Sequence, residues 1–497
     1  VETLHPSIMK GLAWFHRWVG IFLCLMFATW FATGAVMVFV AFPALPEAVR
    51  AARSEPIDLA RVRLDPAEAE AALAGASDLR LVSIAGQPVY VATGPGKRAL
   101  AISAETGRPL GLVSPAAAKV IAVRFGQIDA SEVAGPFDYD QWVVHQQFDP
   151  LRPVYRVRLA DQRHTDLYVS ARTGQVIQQT RGYERAWNWL GSVVHWIYFV
   201  PIRKTFALWD WTVWVIALVG LSTTVAGVWL GLTRTSKKMS SKRPGLSPFR
   251  GLLRWHHIFG LAAGAFVLCW ITSGWLSMDH GRLFSEGQAT DAAAQAYRTG
   301  GGTSVPRGFS AADLQRLAPA SSIEFQEIDG RDVARANGLG APRVLIGDPA
   351  GPRLGDRIPR AAIIAAARAA WPYQAVEAVA PVAVDSAYAK AEGLPPEALL
   401  LKLGGPHPTR LYVDGVSGKI LVVMDRSREA YAWVYYMLHT YNYPGLSSRP
   451  ALRIAILLVP LTLGFAFSIT GVLVGIRRLR ALSPAPSPSA RARRTSR

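Results

Sequence analysis

Val19-Gly-Ile-Phe-Leu-Cys24-Leu-Met-Phe-Ala-Thr-Trp30-Phe-Ala-Thr33-Gly34-Ala-Val-Met-Val-Phe-Val40-Ala-Phe-Pro-Ala44 carries no charged side chain over 26 residues. A helix needs about 20 apolar residues to cross a hydrocarbon core of about 30 Å. Inside that core only helices and closed barrels satisfy their backbone polar groups, and a run this continuous is helical. Three further runs meet the same test: Trp211–Thr233, Ile258–Met278 and Ile454–Ile476, with 23, 21 and 23 uncharged residues. The first run is longer than the apolar stretch of a secretory signal and no small-x-small cleavage site follows it, so it reads as a retained anchor.

Composition agrees. The 497-residue chain is 51% hydrophobic and 18% charged, with a mean hydropathy of +0.19, where ordinary soluble domains carry about a quarter charged residues. The net charge of +19 resembles a nucleic-acid signal until it is mapped. The loop Arg234–Arg254 holds seven basic residues and no acid, the segment after Ile476 holds seven more and no acid, and Lys10 and Arg17 flank the first span beside a single acid, Glu2. Basic residues concentrated next to membrane spans mark the cytoplasmic side. Both termini and the 234–254 loop are therefore expected in the cytoplasm, two long segments at 45–208 and 279–450 are expected outside, and nucleic acid is not an expected partner. Cys24 and Cys269 both lie in apolar runs, which excludes a disulfide scaffold, a Cys-ligated iron–sulfur cluster, a zinc ribbon and covalent haem attachment. The Ser/Pro/Arg tail from Ser483 reads as disordered.

The chain repeats itself. Gly11-Leu-Ala-Trp-Phe-His16-Arg-Trp-Val-Gly20 aligns with Gly251-Leu-Leu-Arg-Trp-His256-His-Ile-Phe-Gly260 at an offset of 240, as do Trp30 with Trp270 and Thr33-Gly34 with Ser273-Gly274. At an offset of 244, Leu167-Tyr-Val aligns with Leu411-Tyr-Val, His195 with His439, Gly227 with Gly471 and Gly231 with Gly475. An internal duplication in parallel orientation implies a pseudo-two-fold axis along the membrane normal. The expected division is a first transmembrane helix within 1–44 and an ectodomain over 45–184. An outer interfacial helix with the second transmembrane helix occupies 185–233, and a cytoplasmic loop 234–250. The third helix spans 251–278, a second ectodomain 279–427, an interfacial helix with the fourth transmembrane helix 428–476, and a basic cytoplasmic tail 477–497. The ectodomains read as α+β. Pro66–Ala74 and Arg360–Trp371 are Ala-rich helices, Pro153–Leu159 alternates as a half-buried strand, and strand–turn–strand units recur at Ala101–Leu110, Tyr168–Ile177 and Tyr412–Leu421. Each ectodomain is expected to hold two helix-plus-hairpin units, the least distinct being 309–352.

Ten histidines occur, and four occupy repeat-equivalent places. His16 and His256 fall at the cytoplasmic ends of the first and third helices, and His195 and His439 fall just before the second and fourth, on the outer side. A single histidine among Trp and Arg anchors is an ordinary interfacial feature. Two symmetric pairs are what bis-His ligation of haem b requires, because each neutral imidazole donates one nitrogen to an iron already held by four porphyrin nitrogens. Opposite faces are a bilayer thickness apart, so His16 pairs with His256 and His195 with His439, giving two haems. His257 is an alternative to His256, turned about 100° from it on a helix, and His280 is an alternative at the outer site. His145, His164 and His407 form no metal motif. Thr33-Gly34, Ser273-Gly274, Ala226-Gly227 and Thr470-Gly471 permit close approach of helices or of a flat macrocycle. Arg17, Arg203 and Lys204 are candidate partners of haem propionates, although snorkelling explains them as well.

His16-Arg17-Trp-Val-Gly20 with Thr33-Gly34, the segment Val194-His195-Trp-Ile-Tyr-Phe-Val-Pro-Ile-Arg203, Leu438-His439 with Pro444-Gly445-Leu446, and Thr470-Gly471-Val-Leu-Val-Gly475 together resemble the PepSY-associated transmembrane family. That family includes bacterial iron-regulated inner-membrane proteins and siderophore (ferric) reductases. The resemblance implies a multi-pass protein of the bacterial inner membrane, with four helices, two periplasmic PepSY-like ectodomains and, as in the reductase members, two b haems on His16, His195, His256 and His439. The second repeat reads His256-His257-Ile where the first reads His16-Arg17-Trp, which leaves two candidates for that ligand. The implied activity is a haem-dependent ferric reductase passing electrons across the membrane to an Fe(III)-siderophore or another iron complex. No G-x-G-x-x-G opens a helix after a strand, so the donor is a separate cytoplasmic flavin reductase or a quinol. Two alternatives stand beside it: a PepSY-based binding or regulatory membrane protein without redox activity, and a permease for iron complexes. Against the permease, the spans carry no mid-membrane charge or proline-interrupted pair.

Overall fold

Four helices are long and apolar enough to cross a membrane: Pro6–Phe39, Phe206–Met239, Gly251–Ser277 and Pro450–Leu482. They belong to a computed structural model that describes residues 5–482 apart from 74–77, 95, 97, 303–307 and 339. The tail reading from Ser483 lies outside the described residues. Each helix takes in one of the four apolar runs, the second and fourth entirely and the third to within one residue, and each begins ahead of its run. The first stops at Phe39 instead of reaching Ala44, since Val40 turns extended and Pro43 and Pro46 follow, disfavouring helical residues before them. The first and third long helices each pack against the second and fourth. They therefore face one another across the diagonal of a four-helix bundle. Between them lie Phe27, Phe31, Val267, Trp270, Ile271, Leu457 and Leu461. A Cβ on Gly464 would stand 2.4 Å from the Phe31 ring, so only glycine leaves that ring its place.

The segments between the long helices fold into three antiparallel sheets. One runs Ala130–Phe137, Val154–Leu159, Asp166–Ser170, Val176–Thr180. Val154–Leu159 buries Tyr155, Val157 and Leu159 in one core and leaves Arg156 and Arg158 half-buried, as its alternation predicts. Helix Pro115–Gly126 covers the sheet with Ala118, Ile121, Ala122 and Phe125, and Ser114 caps its start by accepting from the Ala117 amide. The second sheet runs Val376–Pro381, Leu399–Leu403, Thr409–Val413, Ile420–Met424. It shares a core with helix Arg360–Ala370 through Ile363, Ala366 and Ala367.

The third sheet departs from the expected pair of separate units. Its seven strands run, in spatial order, Arg353–Gly355, Arg343–Ile346, Arg331–Asn337, Ser322–Ile328, Asp78–Ile84, Gln87–Thr93, Leu100–Ser103. The first units of both segments are thus one sheet, joined where Arg80, Leu81 and Val82 pair with Glu324, Ile323 and Ser322. Two edge strands with unpaired backbone groups satisfy each other, and Leu79, Leu81, Ile323 and Phe325 share one core.

Glu324 sits at this joint, 3.6 Å from Arg80. Burial alone would raise its pKa, but Arg80, Lys419, Arg335 and Arg50 outweigh it and hold the carboxyl below its ordinary value. A depressed carboxylate contributes stability above its ordinary pKa and loses it as pH falls through the depressed value. Glu324→Gln is expected to cost about 2 kcal/mol near neutral pH, toward the low side because the side chain is 20% exposed. It should also flatten the acid limb of the stability curve. Thermal unfolding of the purified protein between acid and neutral pH measures both; a variant with the wild-type acid limb would contradict this assignment.

Candidate functional site

Different pieces of backbone place the four histidines. His16 lies on the first long helix and His256 near the start of the third. His195 ends a short helix, Ser192–His195, packed against the first long helix. His439 ends the segment Trp433–His439, packed against the third. That segment is wound wider than an α-helix: the Thr440 amide donates to the Tyr435 carbonyl at 3.1 Å, five residues back. Such π turns are rare and concentrate at functional sites.

One hydrogen-bond pattern recurs at all four. The Nδ1 of His16 is 3.0 Å from the Thr223 carbonyl oxygen, so it donates. The Nδ1 of His195 is 3.0 Å from Thr33 Oγ1, whose own proton goes to the Trp30 carbonyl at 3.1 Å. The Nδ1 of His439 is 3.1 Å from Ser273 Oγ, which donates to the Trp270 carbonyl at 3.2 Å. The Nδ1 of His256 is 3.1 Å from Thr470 Oγ1, which donates to the Phe467 carbonyl at 2.5 Å. A hydroxyl has one proton, so each of these three accepts from its imidazole. Read from this network, all four Nδ1 atoms carry the proton and all four Nε2 atoms keep a lone pair. Among the described residues no hydrogen bond reaches those Nε2 atoms. Ordered partners on the far ring nitrogen are the usual support of a metal-ligating histidine. In the first half Ala226 offers no hydroxyl at the place of Thr470, and His16 uses a backbone carbonyl instead.

A glycine faces each ring, and at Gly227 and Gly274 it makes the room. A Cβ on Gly227 would stand 2.5 Å from His16 Cε1, on Gly274 3.1 Å from His439 Cε1, on Gly471 3.4 Å from His256 Cε1 and on Gly34 3.6 Å from His195 Cε1. The two indoles Trp30 and Trp270 donate to the backbone carbonyls of His195 and His439, both at 3.1 Å. Phe467 stacks on His256 at 4.9 Å and Tyr435 on His439 at 6.1 Å.

One pair of rings meets directly. His16 and His256 have centroids 6.5 Å apart, tilted by 40°. Two imidazoles binding one iron from opposite sides, at nitrogen–metal distances of about 2 Å, hold their centroids about 6.3 Å apart. His195 and His439 lie within electrostatic range of each other. Along the first helix, His16 and Thr33 are separated by 17 residues, or about 26 Å. His16 reaches Thr223 and Gly227, within the second apolar run.

The alternates are turned elsewhere. His257 is buried, its Nε2 donates to the Gly231 carbonyl at 3.2 Å, and it stands edge-on to Phe249. His280 bonds Asp210 Oδ2 through Nδ1 at 2.6 Å, between Trp211 and Trp214. The His145 Nδ1 accepts from the Gln147 amide at 3.4 Å. No group of three or more His, Cys, Asp or Glu able to hold a bare metal ion occurs among the described residues. Sequence reading valued Thr33, Ser273 and Thr470 for small size; their role as hydroxyl acceptors to the imidazoles was legible only in their repeated spacing. No curated protein matches the chain. Residues 13–478 match the family model of the PepSY-associated TM region, a span that takes in both histidine pairs and all three sheets, and the chain belongs to that family.

Proposed function

We propose that this protein is a di-haem reductase of the bacterial inner membrane, which passes electrons across the bilayer to a periplasmic ferric complex such as an Fe(III)-siderophore. One observation carries the reading: four imidazoles have Nδ1–H engaged and Nε2 free, and the two at the loop end stand 6.5 Å apart. His16 with His256 and His195 with His439 would hold one haem b each. A haem with two histidine ligands has no open coordination position and supplies one-electron transfer between Fe(III) and Fe(II). The chain's own part is to fix the ring tautomers, leave space beside His16 and His439 through Gly227 and Gly274, and surround the path with apolar and aromatic side chains that exclude water.

The recurrence of Trp, hydroxyl, glycine and imidazole contacts in both halves supports an origin by duplication. Sidedness follows from the basic residues: the 234–254 loop and both ends are cytoplasmic, the sheets periplasmic. The donor is then a cytoplasmic flavin reductase or a quinol. The test is a haem stoichiometry with reduced-minus-oxidised spectra of the purified protein. We expect two b haems per chain. A protein without a Soret band is instead a binding or regulatory member of its family.

A further inference from the structure

Arg203 is only 2% exposed. Of the three cations near the histidines, Arg17 and Lys204 are exposed, and Arg203 alone is enclosed. It ends the short helix Val200–Arg203, between the segment bearing His195 and the second long helix. Its guanidinium lies 4.4 Å from the Trp209 ring centre, 5.1 Å from Tyr198 and 5.5 Å from Phe206. The Nη2 donates to Gln146 Oε1 at 3.1 Å. The Nε and Nη1 are buried without a partner, and among the described residues no carboxylate forms an ion pair with it.

Desolvated cation–π contacts contribute about 2 kcal/mol each, and an uncompensated buried ion costs several kcal/mol. The three rings therefore offset much of the charge burial, but a ring face accepts no directed hydrogen bond from Nε or Nη1, and buried donors left unmade are costly. Two unmade N–H donors on one guanidinium call for an acceptor, and a carboxylate matches them. Its place is beside the sheet-end pair. The Trp209 indole donates to the carbonyl of Trp196, next to His195, at 2.7 Å. The Tyr198 amide donates to the Val193 carbonyl at 2.8 Å, and Tyr198 lies within electrostatic range of Tyr435, which stacks on His439. The same positive charge is felt outside the membrane: burial, and then Arg203, lower the pKa of His145 against the opposing Asp149. At the repeat offset the second half has Ser447, so the feature belongs to one half only.

We propose that Arg203 is a carboxylate-binding site, and that the carboxylate belongs to the tetrapyrrole held by His195 and His439. This rests on the function proposed above. Burial selects a resident anion over a passing one, since a ferric complex that came and went would leave the guanidinium uncompensated in every unloaded interval.

The experiment compares wild type with Arg203→Met, each carrying haem or iron protoporphyrin dimethyl ester, whose carboxyls are blocked. With haem, Arg203→Met should lower the melting temperature. With the ester it should raise it, because a buried charge without a partner has been removed. In the haem-loaded variant one of the two centres should also become harder to reduce. Its reduced-to-oxidised ratio should fall about tenfold at fixed potential, equivalent to 59 mV for one electron, with the other centre unmoved. Arg203→Lys, which keeps the charge, should retain most of the wild-type potential. A melting shift of the same sign with both pigments, or equal shifts of both centres, would overturn the assignment. So would an ester-loaded wild type that is destabilised by Arg203→Met only when a carboxylate-bearing ferric complex is added, which would give the site to the acceptor. Wild-type protein that binds no haem defeats the proposed function itself and is read separately, from the absent Soret band.

Discussion

His16→Ala is expected to leave one haem per chain instead of two and to reduce the rate of external ferric reduction by a cytoplasmic donor to that of protein-free vesicles. In the proposed function His16 would supply one of two Nε2 donors at the loop end, and His257, next to its partner His256, is no substitute, because that ring is turned to the Gly231 carbonyl. The sheet-end pair draws on neither residue. Its rings are positioned by Thr33, Ser273 and the two indoles. The remaining haem should therefore stay bound and be reducible by dithionite. A merely structural histidine would predict a different outcome, with both haems lost together or neither. Haem content by the pyridine haemochrome, together with dithionite difference spectra, distinguishes the three outcomes. His257→Ala should keep both haems.

His195→Ala should produce the complementary defect. The loop-end haem is expected to remain bound and to be reduced by the donor at the wild-type rate, while transfer to the acceptor stops. About 26 Å of helix separates the two pairs, and Cys24 and Cys269, the two thiols of the chain, stand isolated rather than as a relay. Stopped-flow reduction in vesicles of known orientation reads the two steps separately. Equal ferric reduction in wild type and both variants would take the histidines off the path. Loss of donor-side reduction in His195→Ala would mean that the two pairs are not served in sequence.

The spans were legible because uncharged runs report directly on the solvent around them, and the four repeat-equivalent histidines stood out because the chain states their surroundings twice. The choice between His256 and His257 was not legible: adjacent residues share every property of sequence, and only the partners of each ring, Thr470 for one and Gly231 for the other, separate them. The seven-stranded sheet was hidden for a different reason. Alternation in Asp78–Ile84 and Ser322–Ile328 reports which face is buried, while pairing between edges about 240 residues apart leaves no local mark. Nor does the wide turn before His439 have a composition of its own, and the burial of Arg203 depends on how Tyr198 and the helix bearing Phe206 and Trp209 close around it, with Gln146 from farther off. Tertiary placement decides such features, and the pattern of hydrophobicity along the chain does not record it.

The diagonal arrangement of the first and third long helices also sets a timetable. Each pair takes one imidazole from the first half and one from the second, and the second members are themselves oriented by Ser273 and Thr470. The joint of the seven-stranded sheet likewise needs strands from both halves. Contacts between residues so far apart in the chain form late. During synthesis the first half must keep an open sheet edge until Ser322–Ile328 has emerged, and His256 lacks its Thr470 partner until the fourth helix has been made. On the proposed function, capture of the loop-end cofactor is thereby postponed to the end of membrane insertion, and a chain that stops before the fourth helix would lack that site.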